Sequence, residues 1–137
     1  MEREFVTYEQ ALALKDLGFD ELYCFGYYDR EQGNKLVPAL PLTNINTLNG
    51  DFEAPLKQQV FRLFREKYNY WSYVYPYIHD KTWHFHVQFY DSDMWGEVFL
   101  GNNYSNYEEA ENACIDKLLE IVKEQKKIDL IADISGW

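Results

Sequence analysis

Between Thr82 and Tyr90 the chain reads TWHFHVQFY, and its positions alternate. Trp83, Phe85, Val87 and Phe89 share one parity; His84, His86, Gln88 and Tyr90 share the other. Period-two alternation marks a strand with one face packed and the other wetter. The preceding run, YWSYVYPYI, pairs naturally with it across a turn at HDK. Val74 and Ile78 are then expected to pack inward. Trp71, Tyr73, Tyr75 and Tyr77 are left on the outer face as cross-strand neighbours of the histidines. A third strand, GEVFLG, follows the turn-forming stretch DSDMW.

Elsewhere the period lengthens to that of helices. Thr7 stands three residues before Gln10, the spacing of a capping box, and Ala11, Leu14 and Leu17 recur behind it until Gly18. A helix over 8–17 is predicted. Leu22–Tyr28 reads as a strand, DREQGN as a turn, and KLVPAL as a second strand that Pro38 confines to a sheet edge. PLTNINTLNGDFEAP reads as loop. Pro55 suits the first turn of a second helix, with Leu56, Val60, Leu63 and Phe64 on its apolar stripe. Lys57, Arg62, Arg65 and Lys67 fall mainly off that stripe and are expected in solvent. Ser105 and Glu108 have capping-box spacing before a helix over about 107–125, whose inner face carries Ala110, Cys114, Leu118, Ile121 and Val122. The remainder, KKIDLIADISGW, is apolar enough to be expected to dock.

The prediction is one α+β domain spanning 1–137: an antiparallel sheet with flanking helices. A helix and hairpin occupy 1–50, an α-β-β-β-α unit 51–125, and a docked C-terminal tail 126–137. The order of that unit and the phrase YEEAENACIDKLLEIV resemble a double-stranded-RNA-binding domain. Such domains place basic residues at the start of the closing helix, where this chain has Glu108, Glu109 and Glu111. The resemblance therefore implies a topology without the phosphate grip. The phrases YEQALALKDLGFDE, CFGYY, FRLFREKYN and YEEAENACIDKLLEIVK together resemble a family of small proteins of gut Bacteroidetes and their phages. That resemblance implies an accessory protein of a phage or mobile element and brings no activity with it.

Composition narrows the function classes. A net charge of −10 argues against nucleic-acid binding, which draws on clustered Lys and Arg. Aromatics make up 18% of the chain, with 12 Tyr, a residue suited to half-buried faces and interfaces. No apolar run nears the ~18 residues a membrane span needs. The first residues form no signal peptide, and two distant cysteines, Cys24 and Cys114, suit a reduced compartment. A cytoplasmic protein without a membrane partner is expected.

Candidate chemistry is sparse. His84 and His86 share a strand face, and His79 with Asp80 or Asp91 lies near, but zinc wants four ligands and no Cys pair accompanies them. Asp91, Asp93 and Glu97 form no EF-hand spacing. No glycine loop fits a phosphate, and no Ser or Cys stands in a nucleophile motif. The expectation is a non-enzyme without cofactor that contacts a protein partner, such as a host or defence factor. The residues expected to carry this are Trp71, Tyr73, Tyr75, Tyr77, His84, His86 and Tyr90, with acidic helix ends beside them. A small molecule or nucleotide held in an aromatic pocket, a His-based metalloenzyme, an acidic nucleic-acid mimic and a homo-oligomer remain as alternatives. An aromatic patch of this size is uncommon in a monomer, so the hairpin and tail are expected to cover it.

Overall fold

A computed structural model describes residues 2–18, 26–38, 52–91 and 94–134. The fold is α+β with antiparallel sheets, in the order helix, hairpin, helix, three-stranded sheet, helix. The chain divides into two compact units, Met1–Arg62 and Leu63–Trp137.

In the first unit, α1 spans Tyr8–Asp16. Its capping box is complete: Gln10 N–H donates to Thr7 Oγ1 at 3.1 Å, and Thr7 N–H donates to Gln10 Oε1 at 2.9 Å. Gly18 ends the turn at φ 86°, a left-handed conformation that glycine adopts without penalty. Strands β1, Gly26–Asp29, and β2, Lys35–Pro38, form the predicted hairpin, with Gly33 and Asn34 at positive φ in its turn. Pro38 lies on an edge strand, as its missing N–H requires. A third strand, β3, Phe52–Glu53, pairs with the other side of β1. The sequence reading made this stretch loop. Two residues give no periodicity, and only the free edge of β1 recruits them. Phe5, Val6, Ala11, Leu14, Tyr28 and Ala54 are buried in this unit. The Tyr28 hydroxyl donates to the Val6 carbonyl, and its ring meets Tyr8 edge-on at 5.6 Å. Residues 19–25, with Cys24 and the start of the predicted first strand, lie outside the described residues, as do 39–51.

Helix α2, Lys57–Tyr68, runs from the first unit into the second. It begins later than Pro55 because Leu56 is held in an isolated bridge to Phe5. Val60 and Phe64 are buried, as the stripe predicts. Lys57 departs from expectation: it is buried, not solvated. Ala54 and Pro55 just before it are buried too, so the aliphatic stem of Lys57 is covered along with them.

In the second unit, β4 (Tyr70–Tyr77), β5 (Thr82–Asp91) and β6 (Met94–Tyr104) form one antiparallel sheet in the order β4-β5-β6. Strand β6 is longer than predicted. Its pairing reaches Asp91↔Met94, so strand occupies part of the stretch read as a DSDMW loop. Ile78, expected inward, sits in the turn and is 85% exposed. Asp80 organises that turn by accepting from the Thr82 N–H at 3.1 Å and from the Thr82 hydroxyl.

Helix α3 spans Tyr107–Ile134 and lies against all three strands. Ala110, Cys114, Ile115, Leu118, Leu119 and Val122 are its buried residues on this side, facing a sheet layer that includes Phe85 and Val87. The Phe85 ring lies over Gly101, its partner across β5–β6, and a Cβ there would come within 2.0 Å of the ring. The cap of α3 sits one residue later than predicted. Asn106 Oδ1 accepts from Glu109 N–H at 2.9 Å, and the Glu109 carboxylate accepts from the Ser105 hydroxyl at 2.7 Å. The far end differs more. From 126 to 134 the expected docked tail instead continues the helix, and every residue from 123 to 131 is exposed; 135–137 lie outside the described residues. No Gly or Pro interrupts 126–134, and a Lys127–Glu124 ion pair and a Gln125–Asp129 hydrogen bond link successive turns.

Candidate functional site: the outer face of the second sheet

The register of β4 on β5 decides which side chains share a face. Trp71 is opposite Gln88, Tyr73 opposite His86, Tyr75 opposite His84, and Tyr77 opposite Thr82. These side chains, with Tyr90, project from the side of the sheet away from α3. The seven residues singled out from sequence, Trp71, Tyr73, Tyr75, Tyr77, His84, His86 and Tyr90, therefore lie on one face. The register of β6 adds two that sequence reasoning missed. Leu100 is opposite His86 and Val98 opposite Gln88, and Leu100 is 69% exposed. The alternation of Val98 and Leu100 about Phe99 was the available signal.

The rings form a connected row. Tyr73 meets His86 edge-on at 4.8 Å and Tyr75 at 5.5 Å. Tyr75 is 5.6 Å from His84, and His84 stacks on Tyr77 at 4.8 Å. At one end the Arg65 guanidinium sits over the Trp71 ring, 5.3 Å from its centroid. Trp71, Tyr73, Tyr77, Tyr90, Val98 and Leu100 are all exposed, Tyr73 at 56%, where the sequence reading expected a covered face. None of the eleven outer-face side chains named here, Gln88 and Thr82 included, is Lys, Arg, Asp or Glu.

The histidines divide in role. His84 Nε2 lies 3.1 Å from the Thr82 hydroxyl, which ties its ring to the turn. Among the described residues, His86 Nδ1 is buried without a hydrogen-bond partner. Such a group costs about 1–3 kcal/mol of desolvation that folding does not recover. His79 is separated from His84 by Tyr77, whose ring is 5.3 Å from one and 4.8 Å from the other. Among the described residues no three His, Cys, Asp or Glu side chains converge on a metal position.

Cys114 is on the opposite face, buried beneath α3 and hydrogen-bonded to Ser72. Burial pushes its thiol up to about 12, so it persists as the unreactive thiol. Burial, and then a hydrogen bond to Glu111, likewise push the Tyr107 hydroxyl up to about 12. The acids at the start of α3 are partly engaged: Glu109 closes the helix cap, and Glu111 is buried. Among the described residues no helix is long and apolar enough to cross a membrane. Compared with known proteins, the chain matches no family model, no curated protein and no solved structure.

Proposed function

We propose that the protein is a non-catalytic binding module that works by protein–protein contact through the outer face of the β4-β5-β6 sheet. The carrying observation is the exposure, on one face, of Trp71, Tyr73, Tyr77, Tyr90, Val98 and Leu100 with no formal charge among them. Interface cores have this composition: aromatic residues enriched, charged residues depleted. The exposed part of these six side chains comes to roughly 600 Å², the upper end of the largest apolar patch on an ordinary monomer. The resemblance to proteins of gut Bacteroidetes and their phages extends this reading to an accessory factor acting on a host or defence protein.

The test compares the parent chain with a Tyr73→Glu/Leu100→Arg double variant as baits in lysate of the native host. A protein captured by the parent and lost with the double variant supports the reading. Capture by both, or by neither, counts against it.

A further inference from the structure

Two histidines stand two residues apart on the outer face of β5, and their surroundings differ in charge. His84 belongs to a chain of hydrogen bonds that ends on a carboxylate. The Thr82 hydroxyl donates to Asp80, so its oxygen is left to accept from His84 Nε2–H at 3.1 Å. The Thr82 hydroxyl foremost, and His84 to a lesser degree, hold the Asp80 carboxyl below its usual value. A charge on His84 therefore has an anion two hydrogen bonds away. His86 has no such anion. β4 sets Tyr73 against it, edge-on at 4.8 Å, and β6 sets Leu100 opposite. Among the described residues its Nδ1 is buried with no hydrogen-bond partner. Of the titratable groups on this face, Tyr73 meets it directly, while Tyr75, Tyr77, Tyr90 and His84 lie further along the rows; none is an acid. Glu111 and Cys114 belong to α3, on the other side of the sheet.

We propose that acid releases the partner from the outer face: the face binds while His86 is neutral and lets go when His86 takes up a proton. This rests on the reading of the face as a protein contact and adds its regulation.

The sign follows from two opposed effects. Imidazole is the side chain whose ordinary charge change falls between about pH 5 and 8. In the open face the His86 ring is half-buried, so water reaches it and hydrates a charge. A partner laid over Tyr73 and Leu100 removes that water, and an unbalanced charge taken out of water is costly. The Tyr73 ring attracts a cation, but a ring face returns only a small part of that loss. Desolvation wins unless the partner brings a carboxylate of its own. A chain of net charge −10 repels partners rich in carboxylates. A neutral or basic partner leaves the imidazolium unbalanced. By linkage, one proton excluded from the complex weakens binding by up to about tenfold for each pH unit below about 6.5.

The experiment takes the protein that the parent chain captures and the Tyr73→Glu/Leu100→Arg double variant loses. Its dissociation constant is measured at about pH 7.5 and about pH 5.5, on either side of the imidazole range. The chains compared are the parent, His86→Phe, His86→Gln and His84→Phe, with circular dichroism confirming the fold at both pH values. For the parent and for His84→Phe the constant should be about tenfold higher at the lower pH. For His86→Phe and His86→Gln the two values should be nearly equal, whatever the affinity at the higher pH. Two replacements keep the test decisive should one of them misfold. Equal constants for the parent overturn the inference and leave the face as a contact. So does an acid effect that persists in both His86 variants, because another group then carries it. Tighter binding in acid also overturns it, by showing a partner carboxylate against the ring. If no protein is captured by the parent and lost with the double variant, the face reading itself fails, and the inference falls with it.

Discussion

The two faces of the β4-β5-β6 sheet are built from the same strands and from the same kinds of residue, yet only one is a core. On the inner face Phe85 and Val87 are buried and α3 lies across all three strands. On the outer face Tyr73 and Leu100 stand in solvent, and among the described residues a buried His86 Nδ1 goes without a partner. Aromatic content does not separate them; the presence of a helix does. A face that keeps large rings exposed and tolerates an unpaired polar atom bears the marks of a surface that serves something other than folding.

The largest expected effect lies on the inner face. Phe85→Ala should lower the unfolding free energy by about 3–5 kcal/mol, since the lost ring leaves a cavity under α3. Urea unfolding at fixed, low protein concentration measures this. Gly101→Ala comes next. The new methyl would collide with the Phe85 ring, and the strain of moving a buried ring is about 1–3 kcal/mol. Combining Gly101→Ala with Phe85→Leu should relieve part of that loss, and strict additivity would show that the ring is not the source of the strain.

Burial of Cys114 makes the inner face sensitive to alkali. Its thiol stands at about 12 in the folded protein against 9.0 for an ordinary thiol. The unfolded chain therefore releases this proton first, and stability falls as pH rises from about 9 towards 12, by about 1 kcal/mol per pH unit from this group. Cys114→Ala should flatten that part of the profile. In a Cys24→Ser background, Cys114 should resist alkylation until the chain unfolds. Rapid alkylation of the native protein would contradict the burial.

His86 sharpens the comparison from the outer side. His86→Phe removes the unpaired nitrogen and keeps a ring beside Tyr73, so stability should rise by about 1 kcal/mol while partner binding weakens. A loss of stability would mean that the imidazole makes a bond important to the fold.

These contrasts were legible in the sequence to different depths. Local signals read well: the Thr7–Gln10 box forms both of its hydrogen bonds, Pro38 lies on an edge, and the parity of residues 82–90 separates the two faces. Features fixed by distant partners did not. Strand β3 exists only because β1 offers an edge, and Lys57 is buried because the segment before it is. Residues 126–134 were expected to dock because they are apolar. Apolarity predicts that a surface wants cover, and says nothing of whether the cover comes from the same chain. The same gap explains why the Tyr and His face was expected to be hidden.

The smallest expected effect bears hardest on the comparison. Tyr73→Ala and Tyr77→Ala remove two exposed rings and the contacts these make with His86 and His84. Cross-strand pairs of this kind contribute about 0.2–1 kcal/mol each. Each variant should therefore change the unfolding free energy by less than about 1 kcal/mol, while capture of the partner protein is lost. Losses near those of Phe85→Ala would make the outer face a second core whose rings hold the sheet together. Losses near zero, with association abolished, would show rings that the fold does not need and a partner does.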